Sequence, residues 1–184
     1  IYHDPLGGQP NCPLTYHNGY VYTGFWNQED LDANYVCLSA TDEKTDSGSE
    51  EKLARWAYTS KGGFYWAGCA VVGSNVIFGC DDGTIYANKN SKAVSLNKNT
   101  GKFIDSLPIV GDQRSSMTYQ NGTLYFTTKA GYLYSVRLNS NGTFNDSSVK
   151  RLSLGGASTS TPLIYNGRLY LGVQGKGFGT GYFK

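Results

Sequence analysis

One phrase recurs along this chain, and it constrains the fold more than any other feature. Tyr16-His17-Asn18-Gly19-Tyr20-Val21-Tyr22 returns as Val71-Val72-Gly73-Ser74-Asn75-Val76-Ile77-Phe78. It returns again as Tyr119-Gln120-Asn121-Gly122-Thr123-Leu124-Tyr125, and a fourth time as Tyr165-Asn166-Gly167-Arg168-Leu169-Tyr170. The turn positions Gly19, Asn75, Gly122 and Gly167 are 56, 47 and 45 residues apart. A repeat of about 45 residues built only from strands is the pattern of a β-propeller blade. The expectation is therefore an all-β chain of four-stranded antiparallel blades.

The chain has 184 residues, room for about three and a half such blades. They are expected over about 9–60, 61–110, 111–155 and, in part, 156–184. The last repeat reads as only two strand-like segments, with the Gly-rich stretch 174–181 as a loop. The first residue is Ile1 and not Met, and the chain is read as cut from a longer propeller. The missing blades are expected from the same polypeptide, a second copy or a partner chain. The 24 glycines and 15 tyrosines suit many short strands joined by tight turns. A net charge of +2 with no Lys/Arg run argues against nucleic acid as a partner. No apolar stretch approaches the roughly 18 residues of a membrane span.

Each repeat parses as strand, turn, strand, turn, strand, turn, strand. The first has strands near 12–16, 20–25, 34–39 and 53–58, with polar loops at 26–33 and 41–52. The second has strands near 68–72, 76–79, 84–87 with 93–96, and 102–107. The third has strands at 115–119, 123–128, 132–137 and 148–154. The fourth has strands at 159–165 and 168–173. The run Ala70-Val71-Val72 is continuously apolar, as expected of a strand packed on both faces. Cys12, Cys37, Cys69 and Cys80 form no C-x-x-C, and none stands beside a histidine at metal-ligand spacing. Cys69 is aligned with Pro13, one place off Cys12, so the two thiols are expected on opposite strand faces and unbridged. The sequons at Asn121, Asn141 and Asn145 fall in turn-rich stretches and read as turn chemistry.

Thr161-Pro162-Leu163-Ile164-Tyr165-Asn166-Gly167-Arg168-Leu169-Tyr170-Leu171-Gly172 resembles the inner hairpin of the PQQ-like, or quinoprotein alcohol dehydrogenase-like, propeller repeat. Ala93-Val94-Ser95-Leu96-Asn97-Lys98-Asn99-Thr100-Gly101-Lys102 resembles that repeat's third-strand ending. The family usually continues to a tryptophan that docks one blade on the next. Trp56 fits that role in the first blade, and in the second the position falls near Asp105, so the docking tryptophan is absent. The family includes quinone-dependent alcohol and sugar dehydrogenases, an outer-membrane assembly lipoprotein and many secreted surface proteins. Phe64-Tyr65-Trp66-Ala67-Gly68-Cys69-Ala70-Val71-Val72-Gly73 is most similar to the bacterial cell-surface members.

A dehydrogenase of this family implies pyrroloquinoline quinone, a calcium ion on carboxylate and amide oxygens, a catalytic aspartate and a vicinal cysteine pair. No two cysteines are adjacent here. The paired acids Asp81 and Asp82 precede Gly83 and read as a tight hairpin turn before they read as a metal site. No nucleophile motif is present. The reading is therefore a non-catalytic, secreted or surface-displayed bacterial propeller without a cofactor, acting as a protein- or glycan-binding module or scaffold. The alternative is a fragment of a quinone-dependent dehydrogenase, with quinone and calcium. In a propeller, the loops leading into each first strand share a rim with the loops joining second to third strands. That rim collects Trp26, Tyr65, Trp66 and Arg114 as candidate ligand contacts, since exposed aromatics beside polar groups stack on sugars or grip peptides. The competing reading buries Phe64, Tyr65 and Trp66 between the first two blades.

Overall fold

The structure, a computed structural model, describes residues 1–28, 30–41, 51–81, 91–175 and 181–183. Three four-stranded antiparallel meanders follow one another along the chain. The first contains β1 (Thr15–His17), β2 (Tyr20–Gly24), β3 (Asp32–Ser39) and β4 (Trp56–Lys61). The second contains β5 (Ala70–Val72), β6 (Asn75–Cys80), β7 (Lys92–Asn97) and β8 (Phe103–Pro108). The third contains β9 (Thr118–Gln120), β10 (Thr123–Thr128), β11 (Tyr132–Arg137) and β12 (Lys150–Ser153). A fourth unit has two short ladders, β13 (Leu163–Tyr165) with β14 (Arg168–Tyr170), and β15 (Gly172–Gln174) with β16 (Gly181–Phe183). Among the described residues the helical content is one 3₁₀ turn, Asp146–Ser148. The fold is a β-propeller segment of about three and a half blades, and its sheets do not close into a ring.

Three of the recurring phrases close as predicted. Asn18-Gly19, Asn121-Gly122 and Asn166-Gly167 all have positive φ at both central residues, as a type I′ hairpin requires. The second copy differs by one residue. Val72 pairs with Asn75, so the turn is Gly73-Ser74, with positive φ only at the glycine. Asn75 is the first residue of a strand, and Ser74 is the true counterpart of Gly19. The shift also makes Cys69 equivalent to Leu14 and not to Pro13, which removes the opposite-face argument about Cys12. β10 and β11 match the predicted strands residue for residue, whereas β4 begins three residues late at Trp56. The third strand of the second sheet begins at Lys92, paired to Cys80; the predicted segment 84–87 lies outside the described residues. The fourth unit holds more than two strands: its second strand is interrupted at Leu171, and its continuation Gly172–Gln174 pairs with Gly181–Phe183.

Neighbouring sheets pack face to face, and the period-2 alternation of each strand decides which neighbour a side chain meets. In β6, Val76, Phe78 and Cys80 join Tyr22, Tyr35 and Cys37 of the first sheet. The intervening Ile77 joins Leu124 and Phe126 of the third. All six residues of β6 are buried, which explains its unbroken apolar run. At the first interface the Tyr35 and Phe78 rings stack 3.9 Å apart and 5° from parallel, and Phe64 meets Tyr35 edge-on at 5.2 Å. The Tyr35 hydroxyl donates to the Ala67 carbonyl at 3.2 Å, so its polar end is satisfied inside the core. Leu154, Leu171 and Val173 carry the third sheet onto the fourth unit.

Trp56 docks the first sheet on the second. It is buried, its Nε1 donates to the Lys98 carbonyl at 2.8 Å, and its Cβ lies 2.7 Å from where a Cβ on Gly101 would stand. Gly101 has φ +69°, so both backbone and space demand glycine there. The equivalent position in the second sheet is Asp105, opposite Ser95 as Trp56 is opposite Cys37. Asp105 Oδ2 accepts the Phe144 N–H at 2.9 Å. Phe144 itself is buried in the interface between second and third sheets. The aromatic absent from the second sheet is thus supplied from the opposite side by the third.

The outward face of the first sheet is covered in part by the N-terminal segment. Tyr2 bridges to Lys52 and lies 6.0 Å from the Phe25 ring, and Asn34 Nδ2 donates to Asp4. Leu14 and Tyr16 remain 74% and 68% exposed on that face. At the far end Leu163 and Tyr165 are 63% and 64% exposed. In the second sheet the counterparts of Leu14 and Leu163, Cys69 and Ala70, are buried, and those of Tyr16 and Tyr165, Val71 and Val72, are half-buried.

All four thiols are free and share one core cluster. Cys12 Sγ donates to the Phe64 carbonyl at 3.3 Å. Burial pushes Cys12 and Cys80 up to about 12 and Cys37 to about 11. The folded chain therefore holds thiol protons that the unfolded chain releases near 9. This contribution to stability is fully present below about pH 9 and is lost as pH rises toward 12. The expected result is a denaturation midpoint that falls above pH 9, and four thiols that react with a disulfide reagent at pH 8 only after unfolding. Rapid labelling of the native chain would contradict this placement.

Candidate functional site

The antiparallel register puts the start of each first strand level with the end of each second strand, since Thr15 lies opposite Tyr22 and Ala70 opposite Ile77. Side chains from the lead-in loops and from the ends of second strands therefore meet at one rim. Trp26 follows β2, Tyr65 and Trp66 lead into β5, Asp81 follows β6, and Asp112 to Arg114 lead into β9. Three sheets contribute.

Tyr65 is the centre of the cluster. Trp26 meets it edge-on with centroids 5.1 Å apart, Trp66 lies tilted at 4.4 Å, and the Arg114 guanidinium sits 4.7 Å over the Tyr65 ring. The four candidate side chains form one continuous run of contacts. Phe64 is fully buried between the first two sheets, Tyr65 is half-buried and Trp66 is 46% exposed. The aromatic triplet is therefore divided between packing and surface. Trp66 has φ +58°, a region that bulky L-residues rarely adopt.

Arg114 is buried, with Asp81 Oδ2 at 2.7 Å and Asp112 Oδ2 at 3.1 Å from its Nη2. Ser91 Oγ donates to Asp112 Oδ1 at 3.2 Å. One cation between two carboxylates carries a formal charge of −1, and its partners come from the second sheet and the loop into the third. The described half of the acid pair, Asp81, is thus held against a guanidinium, where a metal ion would have to compete with it. Asp82 lies outside the described residues. Asp112 was not legible as a site residue: it stands two residues before Arg114 in a loop, with no periodicity to mark it. Gln113, between them, lies against Gly79, where any Cβ would collide with its carboxamide. The three sequon asparagines act as turn residues. Asn121 sits in a hairpin turn, Asn141 Oδ1 accepts from Thr143 Oγ1 at 2.8 Å, and Asn145 Oδ1 accepts from Ser147 Oγ at 2.7 Å.

No family model and no curated protein sequence matches this chain. Solved β-propeller proteins do resemble it in fold. BamB from Moraxella catarrhalis superposes with a TM-score of 0.57 at 15% identity, over 88% of this chain and 40% of its own. The computationally designed Ika8 protein gives a TM-score of 0.57 at 10% identity, over 89% of this chain and 42% of its own. The designed Ika4 protein gives 0.57 at 11% identity, over 96% of this chain and 91% of its own. The chain thus spans less than half of BamB and Ika8 and nearly all of Ika4.

Proposed function

We propose that this chain is part of a secreted or cell-surface bacterial propeller of the PQQ-like repeat class. Its lead-in rim binds a protein or a glycan without catalysis. The observation that carries this reading is the continuous Trp26–Tyr65–Trp66–Arg114 contact run at one rim, ending in a half-exposed tryptophan. A rigid scaffold presenting an aromatic surface beside polar groups suits recognition. Propellers carry many unrelated functions, so the argument rests on the rim and not on the fold. The docking residues Trp56 and Gly101, and the hairpin 161–172, support the repeat class.

The test screens the 184-residue chain against a glycan array and a displayed peptide library, alongside Trp26→Ala and Trp66→Ala. The expected hits disappear in both variants. Hits indifferent to the two rim tryptophans would overturn the proposal. In parallel, titration with pyrroloquinoline quinone and calcium is expected to leave absorbance and melting temperature unchanged. Micromolar binding with dye-linked alcohol oxidation would establish the dehydrogenase alternative.

A further inference from the structure

We infer that the rim takes a neutral glycan, its hydroxyls held by uncharged side chains and one sugar ring laid on Trp66. This rests on the rim being the binding surface. Four buried neutral side-chain atoms among the described residues have no hydrogen-bond partner: Asn11 Oδ1, Trp26 Nε1, Gln113 Oε1 and Thr128 Oγ1. They are distant in sequence, yet all belong to this rim. Asn11 and Gln113 lie in lead-in loops, Trp26 follows β2, and Thr128 ends β10. A buried polar atom without a partner is costly, and a native structure concentrates such atoms where something outside the chain supplies the bond.

The chemistry of the four selects the ligand. They are two amide oxygens, an indole N–H and a hydroxyl, which offer both acceptors and a donor and no charge. A polyhydroxylated ligand matches that set, directly or through ordered water. The charged groups of the rim neutralise one another in part, with Arg114 against Asp81 and Asp112, which leaves no excess of positive charge for an anionic chain. Trp66 supplies the apolar surface that the C–H face of a sugar ring needs. It is 46% exposed and has φ +58°, an unfavourable conformation of the kind found at ligand sites. The anchoring side chains of a peptide favour well-packed, desolvated pockets. The rim offers a ring surface beside neutral polar groups instead.

The test titrates the whole chain by calorimetry with cello-, xylo-, manno- and chito-hexaose. Oligogalacturonate, a heparin fragment and the peptide hits of the library screen are the comparators. The expected result is binding of at least one neutral oligosaccharide, weakened about five- to ten-fold by Trp66→Ala and restored in large part by Trp66→Phe. Thr128→Val is expected to weaken it several-fold while the melting temperature stays near that of the parent. Binding confined to the anionic oligosaccharides overturns the inference. So does binding confined to peptides, although rim-sensitive peptide hits would leave the proposed function standing. No rim-sensitive binding of any probe overturns both, and assigns the four atoms to internal water.

Discussion

Replacing Trp56 with alanine is expected to lower the stability of the chain by about 3–5 kcal/mol, the range for deleting a buried aromatic. Three losses combine. The indole leaves a space between the Tyr22 ring, 5.9 Å away, and the Gly101 backbone. The Lys98 carbonyl loses its 2.8 Å donor. The first sheet also loses the indole that packs into the β7–β8 turn of the second. Asp105→Ala is the internal comparison. It removes one acceptor from the Phe144 N–H but leaves the buried ring in place, so the expected cost is about 1–2 kcal/mol. Urea titrations of both variants measure the difference. A Trp56→Ala loss no larger than the Asp105→Ala loss would contradict the docking role.

Arg114→Met is expected to cost about 3–5 kcal/mol, the effect of leaving buried carboxylates without their cation. Asp81 and Asp112 both lie within 3.1 Å of the guanidinium, and all three side chains are buried. The guanidinium's contact over Tyr65 disappears as well, a smaller term of about 0.5–2 kcal/mol. Adding Asp81→Asn to Arg114→Met removes one stranded charge and is expected to recover part of the loss. That coupling is the diagnostic result. Additive losses in the double variant would show that the pair does not interact as placed.

Much of the fold was legible in the recurring hairpin, because an Asn-Gly pair between alternating strands leaves few conformations open. The same cue failed by one residue where Gly73-Ser74 replaces Asn-Gly. A turn with glycine first shifts the strand that follows, and the asparagine at 75 resembles the turn residue it is not. Trp56 was legible as a dock because one tryptophan does that work within a fixed spacing. Its replacement in the second sheet was not, because Phe144 reaches back from the next sheet, 39 residues beyond Asp105. The four rim side chains were legible from the meander alone, which fixes the loops that share an end. The pairing of Arg114 with Asp81 depends on rotamers and on the angle between two sheets, and the clustering of unpartnered polar atoms depends on every neighbour. Neither leaves a mark in the spacing of residues.

We propose that the two end faces of this stretch of ring pack on further blades. In the second sheet, the counterparts of Leu14 and Leu163 are Cys69 and Ala70, buried against the neighbouring sheets, and those of Tyr16 and Tyr165 are Val71 and Val72, half-buried against the same clusters. Apolar faces of this kind rarely stay open on a soluble monomer. The measurement is sedimentation velocity on the purified 184-residue chain over a range of concentrations, with a melt at each. The account predicts concentration-dependent association, by pairing of two copies or by wider aggregation, unless a partner or additional blades are supplied. A monomer at every concentration, with a cooperative melt and no aggregation, would contradict it.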